Sequence, residues 1–102
     1  MYLKICKFGG TSMAQKSSIL KVKDIVLGDE SRRFVVVSAP GKRFSNDIKI
    51  TDQLYHCFDQ KKKPCQLKES FQKIRERYVE IVKELNGDID INKCLDEVEV
   101  GI

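Results

Sequence analysis

The chain has a single histidine, His56, and its four cysteines, Cys6, Cys57, Cys65 and Cys94, form no Cys-x-x-Cys pair. A zinc site needs about four ligands at tighter spacing, so no metal centre is expected. The thiols read instead as reduced, small apolar residues. No apolar run approaches the ~20 residues of a membrane span. Met1-Tyr2-Leu3-Lys4 lacks the form of a secretory leader, and the chain reads as cytoplasmic. There is no internal repeat and no low-complexity tract. Neither a Gly-x-x-x-x-Gly-Lys-[Ser/Thr] loop nor a Gly-x-Gly-x-x-Gly fingerprint occurs, which excludes the two familiar glycine-rich nucleotide signatures.

What is present fits a soluble globular chain. Charged residues make up 33% and hydrophobic ones 41% of 102 residues. That length suits one small domain or a piece of a larger one. The net charge of +4 leans towards anionic ligands but is too small to point to nucleic acid.

Residues 2–8 read as a short apolar strand. Residues 12–27 read as a helix, with Ser12-Met13-Ala14-Gln15 fitting a capping box and Ser17 or Ser18 as later alternatives. Ile19, Val22, Ile25 and Val26 form its apolar stripe, and Gly28 stops it. Residues 33–38 are β-branched and almost wholly apolar, as in a central strand covered on both faces. Strand, helix and strand within some 38 residues make a βαβ unit with parallel strands. Pro40 to Lys49 has no periodicity and reads as a mobile basic loop. Ile50, Leu54, Cys57 and Phe58 mark a helix, which Lys61-Lys62-Lys63-Pro64 breaks. Leu67, Phe71, Ile74, Tyr78, Ile81 and Leu85 mark a long amphipathic helix ending near Asn86-Gly87. A short helix follows from about residue 90. Two strands cannot bury both faces of a sheet, so the chain reads as the front part of a larger α/β domain.

One local signal points to chemistry. In Lys4-Ile5-Cys6-Lys7-Phe8-Gly9-Gly10-Thr11-Ser12 a strand runs into a lysine, two glycines, two hydroxyls and a helical pattern. Glycines let backbone amides approach an anion, a helix N-terminus adds partial positive charge, and Lys7 supplies a full one. The same order also makes a plain tight βα turn. Ser38, at the end of the second strand, either caps a turn or faces the ligand side of the sheet, where it would neighbour Lys7. Thr51 either caps its helix, with Asp52 favoured by the dipole, or offers its hydroxyl to the same crevice. His56 reads as a surface or partly packed residue, and Lys61 to Lys63 as a solvated helix end.

Taken together, Lys7-Phe8-Gly9-Gly10-Thr11-Ser12, Val35-Val36-Val37-Ser38-Ala39 and Ile50-Thr51-Asp52-Gln53-Leu54 resemble the opening of an aspartokinase. The first matches that family's signature over six consecutive residues. The other two match in kind, order and approximate spacing. Met13 stands where the family most often has valine, and the stretch from Pro40 to Lys49 resembles a longer form of the family's loop. The resemblance covers residues 1–58; the helical segment 59–102 carries no motif.

The resemblance implies the N-terminal part of an amino-acid-kinase domain, an α/β fold with a parallel-rich sheet between helical layers. It implies transfer of the γ-phosphoryl group of ATP, with Mg²⁺, to the side-chain carboxylate of L-aspartate, the first step towards lysine, threonine and methionine. Lys7, as the catalytic charge, with Phe8, Gly9 and Gly10, would meet the nucleotide's transferred phosphoryl group. Ser38 and Thr51 would hold aspartate. The full-length protein would be a homo-oligomer acting on small molecules, without nucleic-acid or membrane partners. The family's Gly-Arg-Gly-Gly-Ser-Asp segment, its later nucleotide-binding segment and its regulatory domains do not occur in this chain, which is expected to be inactive alone. Two other readings remain: a sibling kinase of the same fold, and a non-catalytic module that docks a partner through an exposed Leu67–Leu85 stripe.

Overall fold

The structure, a computed structural model, describes residues 2–102. The elements run β1 (Lys4–Phe8), a 3₁₀ turn (Gly10–Met13), α1 (Lys16–Leu27), β2 (Arg32–Val37), α2 (Ile50–Asp59), α3 (Pro64–Glu84) and α4 (Ile91–Gly101). The fold is α/β and divides into two compact units, one running to Lys49 and the other spanning Ile50–Ile102.

In the first unit β1 and β2 pair in parallel, as the strand–helix–strand pattern predicts. Lys4 stands opposite Arg32, and a register shift follows. Ile5 then faces Phe34, Cys6 faces Val35, Lys7 faces Val36 and Phe8 faces Val37. The turn before β2 is organised by Asp29. Its carboxylate accepts from Lys4 Nζ at 2.6 Å, from the Ser31 amide at 2.9 Å and from Ser31 Oγ at 2.6 Å. These bonds, Lys4's first among them, hold the Asp29 carboxyl well below the usual carboxylate range. Arg32 closes the turn by donating to the Ile25 carbonyl.

Two expectations need correction here. The first helix does not start at Ser12. Residues Gly10–Met13 form a 3₁₀ turn, Ala14 is buried, and Gln15 is extended, with φ −161° and ψ 171°. An extended residue cannot lie inside a helix, so α1 restarts at Lys16 without a side-chain cap, and the capping box does not form. Second, β2 is not covered on both faces: Phe34, Val35, Val36 and Val37 are all exposed, and Ile5 on β1 is 75% exposed. The Pro40 to Lys49 segment is a loop with no helix or strand, as its missing periodicity predicts, and a pair of charges ties it. Asp47 accepts from the Arg43 amide at 2.9 Å and from its guanidinium at 2.6 and 3.0 Å, tying the segment across its middle. The Arg43 guanidinium keeps the Asp47 carboxyl strongly depressed.

The second unit is helical. Its core is Ile50 and Cys57 of α2, Phe71 and Ile74 of α3, and Leu95 of α4, all buried. Both α2 and α4 pack on α3. The Leu67–Leu85 stripe is therefore covered rather than exposed, which removes the surface that a docking module would use. A hollow of about 240 Å³ remains between the three helices, lined by Ile50, Leu54, Phe71, Ile74, Tyr78, Cys94, Leu95 and Val98. Arg75 fastens α4 from α3. It donates to the Asn92 carbonyl at 3.3 Å, to Asn92 Oδ1 at 2.9 Å and to Asp96 at 2.7 Å. The Asp90 carboxylate caps α4 by accepting from the Lys93 amide.

The cysteines divide. Cys57 is buried, and burial pushes its thiol pKa up. Cys6 is half-buried, whereas Cys65 and Cys94 are exposed, so packing as apolar residues describes only the first two.

The end of α3 shows how a local signal becomes structure. Asn86 has φ 54°. Its amide donates to the Lys83 carbonyl and the Gly87 amide to the Val82 carbonyl, the paired bonds of a Schellman motif. Left-handed backbone costs an ordinary residue ~1–2 kcal/mol and asparagine or glycine less. Asn86→Val is accordingly expected to lower stability by ~1–2 kcal/mol, and Asn86→Gly to raise it by a few tenths. Urea unfolding of the chain reads both; an unchanged midpoint in Asn86→Val would show that the turn is dispensable.

Candidate functional site

The parallel pairing brings the carboxyl ends of β1 and β2 side by side. Lys7 is exposed on β1, where its backbone pairs with Val36, and its ammonium forms no hydrogen bond or ion pair with any described residue. An exposed ammonium is a hydrated point charge, free to meet an anion. Ser38 follows β2, and its amide donates to the Phe8 carbonyl at 3.1 Å. Ser38 is thus held beside the Phe8–Gly9 corner, with its residue exposed. Lys7, Phe8, Gly9, Gly10 and Ser38 therefore share one end of the sheet.

The two glycines play different parts. Gly9 is extended, with φ −77° and ψ 178°, a conformation open to any residue. A Cβ built on Gly9 would meet nothing within 4 Å. Neither backbone conformation nor packing within the chain asks for glycine there. Gly10 lies against another backbone: an added Cβ would come within 3.2 Å of Gly41 Cα and 3.3 Å of the Ala39 carbonyl oxygen.

The electrostatics differ from expectation in one respect. Gly10–Met13 form a four-residue 3₁₀ turn, and α1 begins only at Lys16. A helix dipole acts within its first turn, so α1 does not polarise the corner. What the corner offers is the pair of leading amides of the 3₁₀ turn, at Gly10 and Thr11, which have no acceptor inside it. The first unit's hollow of about 270 Å³ is lined by Phe8, Thr11, Ser12, Ser18, Lys21, Val22 and Ile25. Lys7 and Ser38 do not line it.

Thr51 belongs to the second unit. It is an exposed residue of the first turn of α2, which begins one residue earlier, at Ile50, so Thr51 is not the cap. Asp52 does occupy the first turn. Thr51 lines a wide apolar hollow of about 520 Å³ with Leu54, Tyr55, Phe58, Gly101 and Ile102. His56 and Lys61 to Lys63 are exposed, and Lys61 Nζ sits 4.1 Å from the Phe58 ring centre. Among the described residues no group of three or more His, Cys, Asp or Glu gathers as a metal site. Likewise no helix among them is long and apolar enough to cross a membrane.

In the sequence Gly41 is simply one residue of the Pro40 to Lys49 loop. The structure makes it a neighbour of the glycine corner, its amide donating to the Gly10 carbonyl at 2.7 Å. The available signal was weak: a Pro-Gly pair a few residues after a strand.

No family model matches the chain. It is 40% identical over 97 residues to Aspartokinase 3 of Bacillus subtilis strain 168, covering 94% of this chain and 21% of that protein. It is also 40% identical over 88 residues to the aspartokinase of Chlamydia trachomatis serovar D, covering 85% of this chain and 18% of the other. The crystal structure of the Clostridium acetobutylicum aspartate kinase superposes with a TM-score of 0.92 at 42% identity, over 97% of this chain and 23% of that one. The chain thus spans about a fifth of the length of the relatives it matches. The resemblance carried by the three motifs holds along nearly the whole chain.

Proposed function

We propose that this chain is part of an aspartate kinase and carries the side of the active site that meets the transferred phosphoryl group. The observation that carries this reading is Gly9: a glycine that the fold itself does not require, beside a lysine whose ammonium has no partner among the described residues and a hydroxyl at the open end of a parallel sheet. Open α/β sheets bind ligands at that end. The likeness to aspartokinases supplies the substrate and extends the fold to the amino-acid-kinase arrangement, in the cytoplasm.

The reaction joins a carboxylate oxygen of L-aspartate to the γ-phosphorus of ATP and breaks the bond to the β,γ-bridging oxygen, releasing ADP. Like charges must approach, so catalysis rests on positioning and neutralisation. Lys7 sets its ammonium against the migrating group. Gly9, having no side chain, lets phosphoryl oxygens come up to the amides of Gly10 and Thr11, as an oxyanion hole does. Ser38 and Thr51 are neutral donors, suited to a substrate that already carries two carboxylates. These residues fit an anion. Mg²⁺, which ordinarily takes most of its oxygens from nucleotide phosphates and water, would neutralise charge on the nucleotide.

Aspartate-dependent ADP formation by the full-length protein tests the reading. Gly9→Ala is expected to cost about 10²-fold in kcat/KM, because it displaces the phosphoryl group by about a methyl radius. Its melting temperature should match the wild type, since the added methyl meets nothing in the chain. Unchanged kinetics in that variant would return the corner to an ordinary turn. Turnover with another acid and none with aspartate would move the assignment to a sibling kinase.

A further inference from the structure

We infer that Gly41 is a positioning residue for the phosphoryl corner, acting through a backbone-to-backbone contact that only glycine permits. This rests on the phosphoryl-site reading of Lys7 to Gly10. Gly41 is buried, and its amide donates to the Gly10 carbonyl at 2.7 Å. A Cβ on Gly41 would lie 2.6 Å from the Gly10 carbonyl carbon, 2.9 Å from its oxygen and 2.9 Å from the Thr11 nitrogen. All three atoms are backbone, so no flexible side chain can yield.

Conformation is not the reason for this glycine, since no described glycine has positive φ. The reason is approach. The segment after β2 presses its main chain onto the 3₁₀ turn after β1, at the residues whose amides face the phosphoryl group. The contact is asymmetric. A methyl on Gly10 would meet Gly41 Cα at 3.2 Å, a tight fit that small shifts relieve, whereas a methyl on Gly41 forces the two segments apart. Ser38, which would hold aspartate, and Gly41, which braces the phosphoryl turn, lie three residues apart on one segment. One stretch of backbone thus sets both halves of the reacting geometry.

Two measurements test this on separate footings. In the 102-residue chain, Gly41→Ala is expected to move the amide resonances of Gly9 to Ser12 and to speed hydrogen exchange at position 41, while resonances of α3 stay in place. In the full-length protein, kcat is expected to fall about tenfold or more, with KM for aspartate within about threefold of wild type. Loss of general structure would not produce that split. Gly10→Ala should show a smaller loss, and the double variant should fall short of the sum of the two. Wild-type kcat in a folded Gly41→Ala overturns the inference, whether or not the resonances move. If Gly41→Ala fails to fold, Gly10→Ala decides: unmoved resonances with unchanged kcat overturn it. A wild-type protein with no aspartate-dependent turnover sinks the kinase reading alone, and the resonances still test the brace.

Discussion

Lys7→Ala is expected to lower aspartate-dependent ADP formation by about 10²–10³-fold, the loss typical of removing one preorganised partner of transition-state charge. The melting temperature should not move. The Lys7 side chain is exposed and bonds to no described residue, so truncating it takes little from the fold. The loss should fall on kcat and kcat/KM together, because a charge aimed at the migrating phosphoryl acts more strongly in the transition state than on bound substrate. Lys7→Arg gives a finer reading. It keeps the charge but replaces a compact ammonium with a wide planar fork, so partial activity is expected rather than full recovery. Full activity in Lys7→Ala would remove this residue from the mechanism.

Phe71→Ala is expected to cost the helical unit ~3–5 kcal/mol, the usual range for deleting a buried aromatic ring. Phe71 is fully buried on α3 and already borders the hollow of about 240 Å³. Removing the ring enlarges a void that the three helices do not close, and the loss grows with residual cavity volume. The ring also stacks under the Arg75 guanidinium at 5.6 Å, so its loss loosens the hold on α4. Small domains have only ~5–15 kcal/mol in total, so the variant would lose much of its margin. Urea unfolding followed by far-ultraviolet circular dichroism measures it, with Phe71→Leu as the milder member of the series. A loss below ~1 kcal/mol would mean that the helices collapse into the space.

The elements that periodicity and stop signals could show were legible. The stripe Leu67, Phe71, Ile74, Tyr78, Ile81 and Leu85 predicts α3, and Asn86 turns left-handed where the stripe ends. The largely β-branched run of residues 33–38 predicts β2, observed at Arg32–Val37, and parallel pairing follows from the intervening helix. What was not legible depends on contacts distant in sequence. Ala14 and Gln15 break the first helix because a buried turn and an extended residue precede it, which no capping pattern reveals. Arg43 and Asp47 convert an aperiodic stretch into a tied segment through a pair of charges. Arg77 is buried at the edge of the stripe, where its charge alone would suggest exposure. Of the candidate site, the identities Lys7, Gly9, Gly10 and Ser38 could be read, and strand pairing then gathers them. Gly41 could not, because its role is to be thin where two backbones meet.

The bare ribbon of β1 and β2 bears on how such a protein is made. Ribosomes deliver ~5–20 residues per second, N-terminus first. In a polypeptide as long as the relatives, Phe34 to Val37 would spend many seconds unshielded before later segments arrive. Apolar strands left open in this way invite pairing with neighbouring nascent chains. Lys4, Lys7, Arg32 and Arg33 lie on the same two strands. In a polypeptide of that length, like-charged flanks of this kind would act as gatekeepers, keeping nascent copies apart while the strands are open.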